Sequence, residues 1–287
     1  MHKIISIRKV FIAVVAVVVV GGSVFYACKK DGNASLTNPK SVASTGMLEN
    51  PFKQYGIWHN ACLDYMFAHL YDGTDPLSAD ALWLNYGVPY FQSVLGANYV
   101  EVSLDALHAG YAKSYNDVVN KQYLTVLQEM VDAGGINPDY TSTHIGRNNY
   151  QILEDYFTFL TNFTVTTEDG YWIAHNKLCA IEQEILANYY SLLNAGVISD
   201  DTVVKMEYEG MLGYTATAIS SSTYWGRPDN CGAYLDWYYQ KKSAELDAMG
   251  YWNQYATEAF FAEISGRCPD ENNCLQTATN YSMNVRM

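Results

Sequence analysis

The sequence predicts an all-α fold, an orthogonal or bundle-like array of roughly seven to nine helices. Three observations lead there. Apolar residues recur every three or four positions over most of the chain after residue 110. Glycines at 134, 196, 250 and 266 stand where those patterns stop, as helix C-terminal caps do. Strand-type alternation is nearly absent.

The N-terminus comes first. Lys3, Arg8 and Lys9 precede residues 10–27, which carry no charge. A basic segment followed by an apolar one is the pattern of an export signal. As a helix the apolar run would span roughly 27 Å, close to a bilayer core, so a retained membrane anchor competes with a cleaved signal. Gly21, Gly22 and Ser23 loosen the end of the run, and Cys28 stands at its boundary with Lys29, Lys30 and Asp31. This boundary resembles a bacterial lipoprotein signal, in which residues 1–27 are removed and Cys28 is acylated. Ala27 fits that pattern, whereas Phe25 and Tyr26 replace the usual aliphatic and small residues. The expectation is a chain lipid-anchored to the cell envelope at the outer membrane. A retained anchor or a secreted product would equally put residues from 29 onward outside the cytoplasm.

Removing residues 1–27 takes away three of the 17 basic residues, leaving 14 against 30 acidic ones and a formal charge of −16. A chain this acidic, with no Lys/Arg cluster, is not expected to bind nucleic acid or to hold an anionic membrane by charge. Attachment would come from the lipid on Cys28. Residues 28–50, "CKKDGNASLTNPKSVASTGMLEN", have few large apolar groups and read as a tether. Residues 51–287 are then one helical domain, long enough to bury a substantial core.

Within that domain the first helix is expected from about Phe52 to Tyr71, and an irregular stretch from Leu82 to Leu95 is expected to break at Pro89. Helical patterns follow at 114–135, 148–163 and 170–195, the last with Leu178, Ile181, Ile185, Tyr189 and Leu192 on one face. After Gly196 the next helix is expected to start at Ser199, with Asp200 and Asp201 at its positive end and Val204, Tyr208, Met211, Thr215 and Ile219 inward. Patterns at 233–250 and 254–266 complete the series.

Two stretches resemble a known family. "NPFKQYGIWHNACLDYM", residues 50–66, is similar to the opening of the mature domain in a group of uncharacterised lipoproteins of Bacteroidota, through Asn50, Pro51, Gly56, His59, Asn60, Leu63 and Asp64. "ATAISSSTYW", residues 216–225, resembles a second, weaker signature of that group. The resemblance implies a surface or periplasmic lipoprotein with a helical domain, and no activity.

The chain lacks a phosphate-binding glycine loop, a His-Glu-x-x-His helix, a Gly-x-Ser-x-Gly elbow and an EF-hand calcium loop. No catalytic residue and no cofactor are assigned. The acidic stretches at 72–75 and 270–273 read as solvated turns before they read as calcium ligands. Cys268 and Cys274, with five residues including Pro269 between them, are candidates for a disulfide outside the cytoplasm. His59 with Cys62 and His175 with Cys179 each share a helix face, which leaves three readings. They are a Cys62–Cys179 bridge, a Cys2His2 zinc site, and plain packing with each histidine bonded to a backbone group or aspartate. In all three the first helix is expected to pack against the helix at 171–194.

The chain has 25 tyrosines and 6 tryptophans. Trp237, Tyr238 and Tyr239 are consecutive on a helix and cannot all face inward, so they are candidates for a recognition surface. The leading functional expectation is non-enzymatic binding of a glycan, peptide or envelope protein. The alternative is an extracytoplasmic hydrolase in which Glu182, Glu184 or His175 shares a cleft with a second acid.

The anchor is directly testable. In its host the protein should label with radioactive palmitate, and Cys28→Ser should abolish the label and leave an unprocessed precursor. Membrane association with the apolar segment still attached in the unlabelled wild type would instead mean a retained span.

Overall fold

Residues 210–218, "GMLGYTATA", and 246–253, "LDAMGYWN", mix small, aromatic and apolar side chains on every side. Helices of this kind have no solvent face and must lie in the middle of a bundle. The computed structural model describes residues 47–72, 75–138, 147–200, 202–227, 237–265 and 271–286. In it every residue from Met211 to Ala218 and from Leu246 to Asn253 is buried.

The elements run as α1 (Lys53–Ala68), a hairpin of two-residue strands β1 (Tyr71–Asp72) and β2 (Asp75–Pro76), then α2 (Ala79–Leu82), a π-helical turn (Trp83–Gly87) and α3 (Val88–Leu95). They continue as α4 (Leu104–Val119), α5 (Tyr123–Asp132), α6 (Asn149–Asn162), α7 (Glu168–Asn194), α8 (Val197–Asp200), α9 (Thr202–Trp225), α10 (Trp237–Ser265) and α11 (Glu271–Arg286). The antiparallel hairpin is the only sheet among the described residues. Among the described residues nine of the α-helices are eight residues or longer, so the all-α, multi-helix expectation holds.

α9 and α10 pack on each other at the centre. α1 and α7 lie against α9, α4 and α5 against α10, and α11 against α10 and α1. Trp252 of α10 meets Phe157 of α6 edge-on at 6.1 Å and Tyr214 of α9 at 5.0 Å. A second apolar cluster joins Leu63 and Met66 of α1 to Trp83, Phe91 and Leu275. Between α4 and α10, Asn253 donates to Ser114 and Asp117, and Lys113 bridges Asp117 and Glu129 at 2.8 Å each.

The structure corrects several expectations. The pattern at 114–135 is two helices, α4 and α5, separated at Lys121, whose φ of 52° is left-handed. Its ammonium repays that turn by capping the end of α6, donating to the carbonyls of Thr161 and Phe163. The patterns at 233–250 and 254–266 are one helix, α10, which runs straight through Gly250. That glycine gives room to Tyr281 of α11: a Cβ there would sit 2.5 Å from its ring. Pro89 does not break the segment but sits in the first turn of α3, directly after the π-helical turn. The helix expected to start at Ser199 is instead the single turn α8 followed by α9.

α1 packs chiefly on α9, not on α7 as the His-Cys spacing suggests. Gly56 is the reason: a Cβ there would clash with Ser220 and lie 2.5 Å from the Ala216 carbonyl oxygen, so only glycine admits α9 this close. What touches α7 is the segment before α1. Leu48 exchanges two hydrogen bonds with Gln183, and the Tyr190 hydroxyl donates to the Glu49 carbonyl. The fold therefore takes in Leu48–Asn50, which composition assigns to the tether.

No disulfide is formed among the described residues, and Cys62 and Cys179 are free thiols. Cys274 is buried, while Cys268 and the lipid-acceptor candidate Cys28 lie outside the described residues. Among the described residues no helix is long and apolar enough to cross a membrane, and residues 10–27 lie outside them.

Candidate functional site

In the segment 50–64, Asn50, Gly56, His59 and Asn60 build an interior joint. Asn50 is buried and donates to Glu182 Oε1 at 2.6 Å and to the Leu212 carbonyl at 2.9 Å, while its own oxygen accepts from the Phe52 N–H. Asn60 donates to the Ser220 carbonyl at 3.0 Å, which turns its Oδ1 toward His59 Nδ1 at 2.9 Å. An acceptor in that place calls for a donor at Nδ1. His59 Nε2 faces Asp247 Oδ2 at 3.4 Å, an ion-pair distance without hydrogen-bond alignment. The same carboxylate oxygen accepts from Ser221 at 2.5 Å and from the Trp225 indole at 2.9 Å. Leu63 is fully buried beside this joint and Asp64 is exposed.

Ser221, His59 and Asp247 are the residue types of a hydrolytic triad, yet the wiring is wrong for one. In a triad the serine hydrogen-bonds the histidine and the acid orients the histidine's far side. Here Ser221 donates to the acid, and none of the three side chains has any exposed surface. No substrate can reach the hydroxyl. The cluster is a structural junction of α1, α9 and α10.

The hydrolase candidates are dispersed. Glu184 is held on the surface in a two-pronged pair with Arg147, at 2.9 and 2.6 Å. Glu182 is engaged by Asn50 and Thr215, and burial raises its pKa against the lowering effect of those two bonds. His175 bonds Ser222 Oγ at 2.6 Å, and its pKa is lowered by burial and then by the charge of Lys241. Cys179 lies 3.5 Å from His175 Nε2, with its thiol pushed up by burial and by Glu182, so it is no thiolate nucleophile. Cys62 and His59 face other partners, and among the described residues no group of three or more His, Cys, Asp or Glu side chains gathers to hold a metal. Among the described residues neither a metal-binding cluster nor a Cys62–Cys179 bridge is formed, and His59 lies against an aspartate.

The aromatic candidates are the first three residues of α10. Trp237 packs half-buried against Tyr171 at 5.4 Å, whereas Tyr238 and Tyr239 are 41% and 61% exposed. Phe159, Phe163 and Trp172 join the same patch. Tyr238 stands at the rim of a groove of about 40 Å³ bounded by Lys121, Tyr123, Lys241, Lys242 and Glu245. Behind it a cavity of about 20 Å³ shares Tyr123, Lys241 and Glu245 and adds Tyr156 and Tyr214. Lys241 and Glu245 form an ion pair at 2.8 Å, each about an eighth exposed. Burial, followed for Tyr123 by the charge and hydrogen bond of Glu245, holds all three tyrosine hydroxyls neutral. Lys242 lies over the Tyr238 ring at 4.4 Å.

Sequence reasoning picked out Tyr238 and missed the lysines. Their signal was a Lys-Lys pair directly after the aromatic run, with Glu245 four residues on from Lys241, in a strongly acidic chain. Asp247 had a signal too: a lone acid between apolar residues in a helix with no polar stripe.

Glu207 of α9 is a second buried acid, accepting from Asn149 Nδ2 at 2.8 Å and from the Asn137 N–H at 3.1 Å. Burial pushes its pKa from 4.5 up to about 7 despite those bonds. The folded protein therefore holds a proton that the unfolded chain releases between these values, and stability falls as pH rises through that window, by up to about 3 kcal/mol. Urea unfolding from pH 4.5 to 7.5 should show a steeper loss in wild type than in Glu207→Gln, in which nothing ionises. Parallel profiles for the two proteins would remove Glu207 as the source.

Comparison with family models, with curated proteins and with solved structures returns no match, so the functional reading rests on the chain's own residues.

Proposed function

We propose that the chain is a cell-envelope lipoprotein, anchored through Cys28 at the outer membrane, that binds a glycan, peptide or envelope protein without transforming it. The observation that carries the binding role is the aromatic start of α10: Tyr238 stands exposed at the rim of a groove bounded by Lys121, Lys241 and Lys242, with the exposed Tyr239 ring beside it at 5.5 Å. Exposed tyrosines beside a buried polar network offer contact area with little side-chain entropy to lose. Their hydroxyls and the lysines supply direction.

The anchor rests on the basic, then apolar, then cysteine order at residues 1–28 and on the resemblance at residues 50–66. Hydrolysis finds no support in the geometry. The acids and histidine named for it each serve a different neighbour, and the Ser221–Asp247–His59 cluster is closed to solvent.

The protein purified from its own membrane in mild detergent should carry its ligand. Replacing Tyr238 and Tyr239 together by alanine should cut retention roughly tenfold or more, as truncating an interface anchor does, with the circular dichroism spectrum unchanged. An identical ligand profile in wild type and the double variant would rule this end out as the binding surface.

A further inference from the structure

We propose that the groove takes the carboxylate of an acidic saccharide, a deepening that rests on the binding role given to the aromatic start of α10. The first argument is charge. Three ammonium groups, on Lys121, Lys241 and Lys242, bound the groove against one carboxylate, Glu245, in a chain whose formal net charge is −13. Lys121 is committed to the end of α6 and Lys241 to Glu245. Lys242 is not: among the described residues no carboxylate lies within 4.0 Å of it, and its contact is the Tyr238 ring. It is thus a cation held at a groove mouth by an aromatic face, free to accept an anionic partner.

The second argument is size. A groove with about 40 Å³ of space for water-sized groups has room for a carboxylate. Outside it Tyr238 and Tyr239 are exposed and offer faces on which the C–H side of a pyranose can stack. A peptide has less to use here. Among the described residues the only strands are two residues long, so there is no edge for an added strand. The third argument is the Lys241–Glu245 pair. A buried ion pair is weak evidence for stability, because desolvation offsets its attraction. Lining both cavities, it is suited to orient an arriving anion, with Lys241 shared between Glu245 and the newcomer.

The test uses the full-length protein in detergent micelles and calorimetric titration with short oligomers of galacturonate, glucuronate and mannuronate. Methyl-esterified oligogalacturonate and an oligoglutamate peptide serve as probes of charge and of backbone. At least one uronate should bind, more weakly at high salt. The ester should bind roughly tenfold or more weakly than the acid, and Lys242→Ala should cost the acid about the same factor while leaving the ester unchanged. Binding of none of the three uronates, or equal binding of acid and ester, overturns the proposal. The peptide binding as tightly as the best uronate overturns the saccharide assignment. Binding of the ester that Tyr238→Ala abolishes, with no preference for the acid, sinks the carboxylate claim and leaves the aromatic binding surface standing.

Discussion

Asp247 places a carboxylate in the middle of the central helix pair with no exposed surface, and groups of α9 and α1 converge on one of its oxygens, Oδ2. A carboxyl group in such a place is costly unless it finds donors. Ser221 and Trp225, one helical turn apart on α9, supply two of them, and His59 of α1 supplies the facing ring. A slip of α9 along α10 by one turn would withdraw both donors together. The apolar surfaces of α9 and α10 say only that the two helices are buried; this acid says at what height they meet. Directional groups inside a non-directional core fix register in this way.

The rest of the 50–64 segment follows from that joint. Gly56 brings the α1 backbone against Ala216 and Ser220, Asn60 bonds the Ser220 carbonyl and orients the imidazole, and Asn50 ties the entry of the chain to α7 and α9 at once. Side chains that look chemical in a sequence, His-Asn beside a cysteine, are thus consumed by assembly. This leaves recognition to the opposite kind of surface, exposed side chains. Tyr238 and Tyr239 are exposed because Gln240, Ser243 and Ala244 take the inward positions of the same turn of α10.

The helical class and most helix positions were legible because amphipathic helices write their period into the sequence, as α6 and α7 do with buried Ile152, Leu153, Tyr156 and Phe157, and Leu178, Ile181 and Ile185. Where the period fails, so does the reading. α10 looked like two helices since Gly250 resembles a cap, and only the approach of Tyr281 explains why a helix interior tolerates it. The break at Lys121 was hidden because its compensation lies about 40 residues away, at the end of α6. Partner choice was illegible for the same reason. His59 and Cys62 share a face with one another, but which helix meets that face depends on Gly56, Ser221 and Asp247 together. At the candidate site the exposed tyrosines could be found by counting faces, while Lys241, Lys242 and Glu245 acquire meaning only beside Tyr123 and Lys121, which come from another part of the chain.

The central claim is that His59 and Asp247 act as one structural unit joining α1 to the α9–α10 pair, and a double-mutant cycle measures it most directly. Urea unfolding of wild type, His59→Gln, Asp247→Asn and the double variant gives the coupling between the two side chains, with conservative replacements keeping each volume. The account predicts that both single changes destabilise and that the double change costs less than their sum by about 1 kcal/mol or more. Additive losses would contradict it, since they would mean that each side chain serves its own neighbours and that the junction has no shared element.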